Sequence, residues 1–128
     1  MKYLKTYNKL NESNSINKVI NDILLEINDE DLWKADCWKE YFSGDSIWAI
    51  IIQTVDEDEE FEIEGQRPLP IVIESIERVI DFMNGEGFTN YKITFEMDED
   101  DQFEEISLEE VSNLDVWPNN FIRIEFWK

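Results

Sequence analysis

The stretch SIWAIIIQTV, residues 46–55, decides the fold. It is rich in β-branched and aromatic residues, and its nearly continuous apolar character is typical of a strand at the centre of a sheet. The segment LWKADCWKEYF (32–42) precedes it, and SGD (43–45) separates the two with residues that favour a turn. The pattern predicts a β-hairpin, although WKADCWKEYF is also compatible with a short helix.

A first amphipathic helix is predicted upstream, over residues 15–27. Its apolar residues recur at the spacing of a single helical face. Ser13, Asn14 or Ser15 would cap the N-terminus of this helix. The residues of the apolar face are Ile16, Val19, Ile20, Ile23, Leu24 and Ile27.

A second amphipathic helix is predicted to begin at Pro70, because proline suits the first helical turn, where its missing N–H is not needed. Gly85 or Gly87 would end it by adopting the left-handed conformation that follows many helices. The predicted apolar face consists of Ile73, Ile76, Val79, Ile80 and Met83.

Three further elements are predicted downstream of the second helix. FTNYKITFEM (88–97) and NNFIRIEFW (119–127) alternate apolar and polar residues, as half-buried strands do. Between them, SLEE (107–110) has the capping-box pattern, which predicts a short helical turn over residues 107–114.

The order of these elements is α-β-β-α-β-β, and two amphipathic helices need an apolar sheet face to cover. We therefore predict an α+β fold of two layers, with a mainly antiparallel sheet. Residues 14–128 would form a single acidic domain, preceded by a basic tail or leader at residues 1–13. Aromatic side chains exposed together on the other sheet face would indicate a partner or a homodimer. The residues assigned to that face are Trp38, Trp48, Phe121 and Trp127.

The net charge of the 128 residues is −20, from 31 acidic and 11 basic residues. Residues 1–13 contain three lysines and one glutamate, so the remaining chain carries 30 acidic and 8 basic residues, a net charge of −22. Such a field repels nucleic acids and anionic membranes and attracts basic protein surfaces. We expect a basic partner protein, with no direct binding of nucleic acid or membrane.

The residue types present exclude several kinds of chemistry. The chain has no histidine, which removes the commonest general base and every imidazole-dependent catalytic triad. Cys37 is the single cysteine, and a lone thiol suits a reducing cytoplasm. The longest apolar run, IWAIII (47–52), is too short to cross a bilayer. We predict a cytoplasmic protein that is not an enzyme and that has no cofactor.

Two acidic runs stand out, TVDEDEEFEIEGQ (54–66) and EMDEDDQFEE (96–105). Asp98, Asp100, Gln102 and Glu109 match the spacing of a calcium-binding loop, but Phe103 occupies the position that is normally glycine. We therefore predict no metal site. In the first run Phe61 and Ile63 alternate with glutamates, which favours an edge strand with one acidic face.

The sharpest hypothesis is that the carboxylates imitate the phosphates of a nucleic acid and occupy the basic surface of a nucleic-acid-binding protein. The simpler reading is that the two runs are solvated loops. A net charge of −20 greatly exceeds what solubility asks of a small domain. The predicted partner-binding residues are Asp56, Glu57, Asp58, Glu59, Glu60, Glu62, Glu64, Asp98, Glu99, Asp100, Asp101, Glu104 and Glu105.

Two stretches, MKYLKTYNKLNES (1–13) and IERVIDFMNGEGF (76–88), resemble parts of small accessory proteins encoded by large tailed bacteriophages. The resemblance implies a phage source and the cytoplasm of an infected bacterium, and it implies no activity. A phage source suits the charge-based hypothesis of an inhibitor of a host defence or nucleic-acid-processing system. The resemblance also implies an alternative, because related leaders on virion proteins are removed after an apolar-x-Glu triplet, the form of Leu10-Asn11-Glu12. The alternatives are a virion structural or assembly protein, and a module that binds a divalent cation or small ligand.

Overall fold

The computed structural model describes residues 2–30, 32–42, 45–54, 65–97, 103–117 and 120–128, the side chains of 2–14, 41–42 and 45–46 excepted. Within these ranges the chain forms three helices and five strands and has a mixed α+β fold. The elements in chain order are α1 (Lys2–Asn28), β1 (Trp33–Phe42), β2 (Asp45–Thr54), α2 (Pro70–Gly85), β3 (Asn90–Glu96), β4 (Phe103–Ile106), α3 (Leu108–Val111) and β5 (Phe121–Trp127).

The described strands form one antiparallel sheet in the order β1-β2-β5-β3-β4. β1 and β2 pair along their whole lengths, from Trp33 opposite Thr54 to Phe42 opposite Asp45, which confirms the predicted hairpin. The last strand, β5, inserts between β2 and β3. Consequently β2 and β3 run in the same direction, and α2 is the crossover that joins them.

One face of the sheet shares a core with α1 and α2. Along β5 the residues that face this core are fully buried, whereas Arg123 and Glu125 on the opposite face are partly exposed, as the alternating pattern predicted. The strands of this face contribute Trp33, Ala35, Trp48, Ile50, Ile52, Ile93, Phe95, Ile106, Ile122, Ile124 and Phe126. The two-layer description remains a prediction, and this shared core supports it.

Helix α1 buries the predicted apolar face but begins much earlier than predicted. Ile20, Leu24 and Ile27 are almost fully buried. The helix extends from Lys2, so the cap expected at residues 13–15 is wrong, because the backbone continues through these positions as helix. At the last residue of the helix, the Asn28 side-chain amide donates to the Ala35 carbonyl and accepts from the Ala35 N–H, which ties the helix end to β1.

Helix α2 begins at Pro70, as predicted, and extends to Gly85; of the two glycines predicted to follow it in the left-handed conformation, Gly87 takes that position. Gly87 has φ of +96°, and its N–H and that of Phe88 bond back to the carbonyls of Asn84 and Met83. This is a Schellman motif, in which glycine takes the left-handed position after the helix. The buried face of α2 is rotated slightly from the predicted one and consists of Val72, Ser75, Ile76, Val79 and Met83.

Two expectations about the sheet are wrong. The predicted order lacked a strand, because β4 has only four residues and two of them, Glu104 and Glu105, are exposed acids. Trp48 was assigned to the face opposite the helices, but it pairs with Phe126 and is buried in the core. Alternation along β2 places Trp48, Ile50 and Ile52 on the helix side, which the nearly continuous apolar run did not reveal.

The short helix α3 confirms the predicted turn at residues 107–114. The Ser107 hydroxyl accepts a hydrogen bond from the Glu110 N–H (3.3 Å), and the Glu110 carboxylate accepts one from the Ser107 N–H (3.4 Å). This is the reciprocal capping box. Val111 and Val116, in and after this turn, are fully buried and attach the segment between β4 and β5 to the core.

Candidate functional site

Most of the predicted partner-binding residues lie outside the described part of the chain. These are Asp56, Glu57, Asp58, Glu59, Glu60, Glu62, Glu64, Asp98, Glu99, Asp100 and Asp101, and the proposed edge strand around Phe61 and Ile63 lies there too. The other two, Glu104 and Glu105, are exposed on β4. What the structure does define is where each acidic run joins the sheet.

Both acidic runs leave the sheet at the same end. The first run follows Thr54 at the end of β2, and the second follows Glu96 and Met97 at the end of β3. Gln53 and Glu96 are paired with the same residue, Phe121, from opposite sides. Two strand spacings separate the two departure points, about 10 Å. Runs that are more than 30 residues apart in sequence therefore start side by side.

The residues that follow the first acidic run are hydrogen-bonded to the segment before β5. Gln66 and Val116 form an antiparallel bridge with two backbone hydrogen bonds, of 3.0 and 2.9 Å. Next to this bridge the Trp117 indole lies on Gly65 so closely that a Cβ on that residue would be 2.7 Å from the indole Nε1. Half of the Trp117 side chain is still exposed (51%). Because Val116 is fully buried, the Gln66–Val116 bridge is attached to the core.

Exposed apolar residues border the same end of the sheet. Phe103 begins β4 opposite Glu96 and is 67% exposed. Met97 follows β3, and Leu32 precedes the first residue of β1, which pairs with Thr54. The surface at this end therefore combines apolar side chains with the start of two acidic runs.

The sheet face away from the helices carries a separate polar cluster centred on Arg123. Its guanidinium donates to Glu125 (3.0 Å) and Glu40 (2.9 Å), and its Cζ lies 5.9 Å from the centre of the Trp38 ring. The Trp38 indole N–H also donates to Glu40 (2.7 Å). Burial disfavours the charged form of Arg123, but the hydrogen bonds and charges of Glu125 and Glu40 outweigh it and raise the arginine pKa.

The polar side chains of this cluster are hydrogen-bonded to one another, so we assign the cluster a structural role. Arg123 sits between β2 and β3, and Glu40 reaches it from β1 across the intervening strand β2. Phe121 and Trp127, also predicted for this face, are partly buried on it. Side-chain exposure of only 20% for Arg123 and 22% for Glu40 indicates that their neighbours already cover them.

Cys37 is partly buried on the helix-side face of β1, and burial raises its thiol pKa to about 12. At neutral pH it is therefore protonated and a poor nucleophile. Within the described ranges no group of three or more acidic or cysteine side chains is arranged to hold a metal ion. Over the same residues no helix combines the length and the apolar character needed to cross a bilayer.

Sequence reasoning missed the Trp117–Gly65 contact and the Arg123 cluster. A glycine directly after an acidic run and a tryptophan followed by proline are visible in the sequence, but nothing in either pattern pairs them. The Glu40–Arg123 ion pair joins residues 83 positions apart and depends on β5 lying next to β2, which periodicity does not predict.

Comparison with known proteins yields no match: no family model fits the chain, and neither curated proteins nor solved structures include a similar one at the level searched. The phage resemblance of the N-terminal stretch therefore remains a prediction.

Proposed function

We propose that this chain binds a basic protein and occupies a surface that otherwise contacts the phosphate backbone of a nucleic acid. The observation that carries the proposal is the convergence of the two acidic runs, whose start points lie about 10 Å apart at one end of the sheet. A folded domain can hold carboxylates in a fixed relation to each other only if their attachment points are themselves fixed.

The net charge supports the same proposal. A protein with a charge of −20 and no histidine has a strong field of one sign, which accelerates encounter with a basic partner and repels nucleic acid itself. In line with the phage resemblance, the partner would be a host nuclease, defence component or other nucleic-acid-processing protein, met in the cytoplasm of the infected cell. The chain would act as an inhibitor by occupancy and not as an enzyme.

The alternative of a virion assembly protein rests on the leader resemblance. The structure adds one relevant fact, that helix α1 runs without interruption from Lys2 to Asn28, so cleavage after Glu12 would fall within a helix. Among the α1 side chains that the structure describes, from Ser15 onward, the buried ones are Ile20, Ile23, Leu24 and Ile27. Mass spectrometry of purified particles separates the readings: the assembly protein would be present and would start at Ser13.

The proposed function is tested by capture from bacterial lysate on the immobilised chain, with and without competing DNA, over a series of salt concentrations. We expect basic nucleic-acid-binding proteins to be retained at low salt, released as salt rises, and displaced by DNA. Recovery of no basic protein at low salt, or capture that DNA does not affect, would contradict the proposal.

A matched pair of charge variants makes this test specific to the site. One variant converts four acids of the first run to amides (Asp56→Asn, Glu57→Gln, Asp58→Asn, Glu59→Gln). The control converts four exposed acids of α2 and its exit (Glu74→Gln, Glu77→Gln, Asp81→Asn, Glu86→Gln). Both have the same net charge. We expect the first variant to lose capture at a lower salt concentration than the control.

A further inference from the structure

The acidic end of the sheet also carries an exposed tryptophan that is held in place. Trp117 precedes β5 by four residues, and its carbonyl accepts a hydrogen bond from the Asn120 N–H (2.8 Å), which keeps it close to the start of that strand. β5 enters the sheet between β2 and β3, the two strands from which the acidic runs leave. Trp117 therefore lies near the end of the sheet at which β2 and β3 finish.

The position of Trp117 depends on the absence of a side chain at Gly65. Three indole atoms would lie within 3.2 Å of a Cβ at that position, the nearest at 2.7 Å, so any other residue would displace the ring. The backbone of Gly65 does not have a positive φ, so the requirement for glycine comes from this contact and not from strain. A large aromatic side chain that is half exposed yet fixed loses little conformational entropy when a partner covers it.

The charges around Trp117 indicate what would cover it. Described acids near this end of the sheet include Glu30, Glu96, Glu104, Glu105 and Asp115, and described bases include Lys34, Arg67 and Arg123. Arg123 is held by Glu40 and Glu125. Lys34 is engaged with Asp36 (3.7 Å). Phe103, 67% exposed, adds a second aromatic contact. Exposed aromatic side chains surrounded by acidic residues are complementary to a partner surface on which basic residues surround an apolar pocket.

We propose that Trp117, positioned by Gly65, is the apolar anchor through which this chain binds its basic partner protein. Interfaces obtain most of their binding free energy from a few residues, with tryptophan prominent among them, while charges at the rim mainly set the rate of association. The inference rests on the proposed function and adds that different residues control association with the partner and its release. The acidic runs attract the partner, and Trp117 slows its release.

The probes for this test are two basic peptides of equal length and charge, one of lysine and leucine and the other of lysine and serine. We expect Trp117→Ala to weaken binding of the lysine–leucine peptide by about tenfold and to leave the lysine–serine peptide within about twofold of wild type. Trp117→Phe, which keeps an aromatic ring, retains most of the affinity. The matched control is Tyr91→Ala, an exposed aromatic (44%) near the opposite end of β3, and it should change neither affinity.

A double-mutant cycle tests the role of Gly65. Gly65→Ala should weaken binding of the lysine–leucine peptide in the wild-type background and have no further effect in the Trp117→Ala background, because it acts only by displacing the indole. The inference is overturned if Trp117→Ala leaves both affinities unchanged, if Tyr91→Ala has the same effect, or if the two substitutions are additive.

The two peptides also distinguish failure of the Trp117 anchor from failure of the proposed function. Salt-sensitive binding of both peptides with no dependence on Trp117 would overturn the anchor while leaving the proposed function intact; no binding of either peptide would contradict both. Sedimentation velocity gives the remaining test. A dimer that Trp117→Ala converts to a monomer would assign this surface to a second copy of the chain and overturn the inference.

Discussion

Arg123 shows how one residue organises the sheet face that the helices do not cover. It contacts two carboxylates and an aromatic ring at once, joining β1 and β5 across β2. A largely buried arginine with two carboxylate partners is costly to remove, because both carboxylates are then left without their counter-ion. Arg123 should therefore contribute more to the free energy of unfolding than a residue in an ordinary surface ion pair.

We expect Arg123→Ala to lower the free energy of unfolding by about 1–3 kcal/mol. The control is Arg78→Ala, which removes the same charge from a pair with Glu26 in which both side chains are about half exposed. That substitution should cost no more than about 0.5 kcal/mol. Urea unfolding of both variants at one ionic strength measures the difference. Equal losses would show that the Arg123 cluster contributes no more than a surface pair.

Cys37 gives a prediction about pH. Burial raises its pKa in the folded state to about 12, whereas an unfolded thiol ionises near about 8.5. Between these values the unfolded chain has released a proton that the folded chain retains, so the free energy of unfolding falls as pH rises. Below about pH 8 both states are protonated and the effect is absent.

The test compares wild type with Cys37→Ala by urea unfolding at about pH 7.5 and about pH 10. Tyrosine and lysine ionisation affects both proteins alike, so the difference between the two isolates the thiol. We expect wild type to lose more stability than the variant over this interval. Parallel pH profiles would mean that the folded-state thiol ionises as readily as the unfolded one.

At the scale of elements, the end of α2 depends on the conformation of a single glycine. Gly87 has φ of +96°, whereas Gly85, the last residue of the helix, has no atom within 4 Å of the Cβ position and no positive φ. We expect Gly87→Ala to destabilise the fold by about 1–2 kcal/mol, because the left-handed conformation is unfavourable for alanine. Gly85→Ala should be neutral or stabilise by about 0.5 kcal/mol. Thermal unfolding of the two variants measures the contrast, and the same sign for both would contradict it.

Periodicity in the sequence predicted the elements well where one face is clearly apolar. The hairpin of β1 and β2, both main helices, β3 and β5 all follow from the spacing of Ile, Val and aromatic residues. It failed at β4, where four residues next to an acidic run are too few to show alternation. It also failed for Trp48, since in a run with apolar residues on both faces the buried face is set by the strands on either side.

The order of the strands in the sheet could not be predicted from the periodicity of apolar residues. The last strand, β5, pairs with β2 and β3, and that insertion brings the ends of β2 and β3, from which the two acidic runs leave, to the same end of the sheet. The sequence predicted two acidic loops and a net charge, which are properties of composition. That both runs start at one end of the sheet is a property of topology, because it follows from the pairing of Phe121 with both Gln53 and Glu96.

For the whole molecule, a charge of −20 implies repulsion that opposes folding. Raising the ionic strength from about 0.01 M to about 0.1 M shortens the Debye length from about 30 to about 10 Å, so the melting temperature should rise with sodium chloride. A melting temperature that falls steadily with salt would show that favourable ion pairs dominate instead.

A comparison of calcium with magnesium tests the alternative of a cation-binding module. At equal concentration the two ions screen charge alike, and without a specific site they should raise the melting temperature equally. A specific site distinguishes them, because calcium accepts irregular oxygen cages that magnesium does not. A larger shift with calcium alone would support the cation-binding alternative over our proposal.

Association kinetics with a purified basic nucleic-acid-binding protein captured by the chain provide the decisive measurement. The rate constant is followed against ionic strength for wild type, for the variant with amides at residues 56–59, and for the α2 variant of equal net charge. If the converging runs form the binding surface, the variant at residues 56–59 will show the slower association and the shallower salt dependence of the two. Identical salt dependence for both variants would mean that only total charge matters, and would contradict the proposed site.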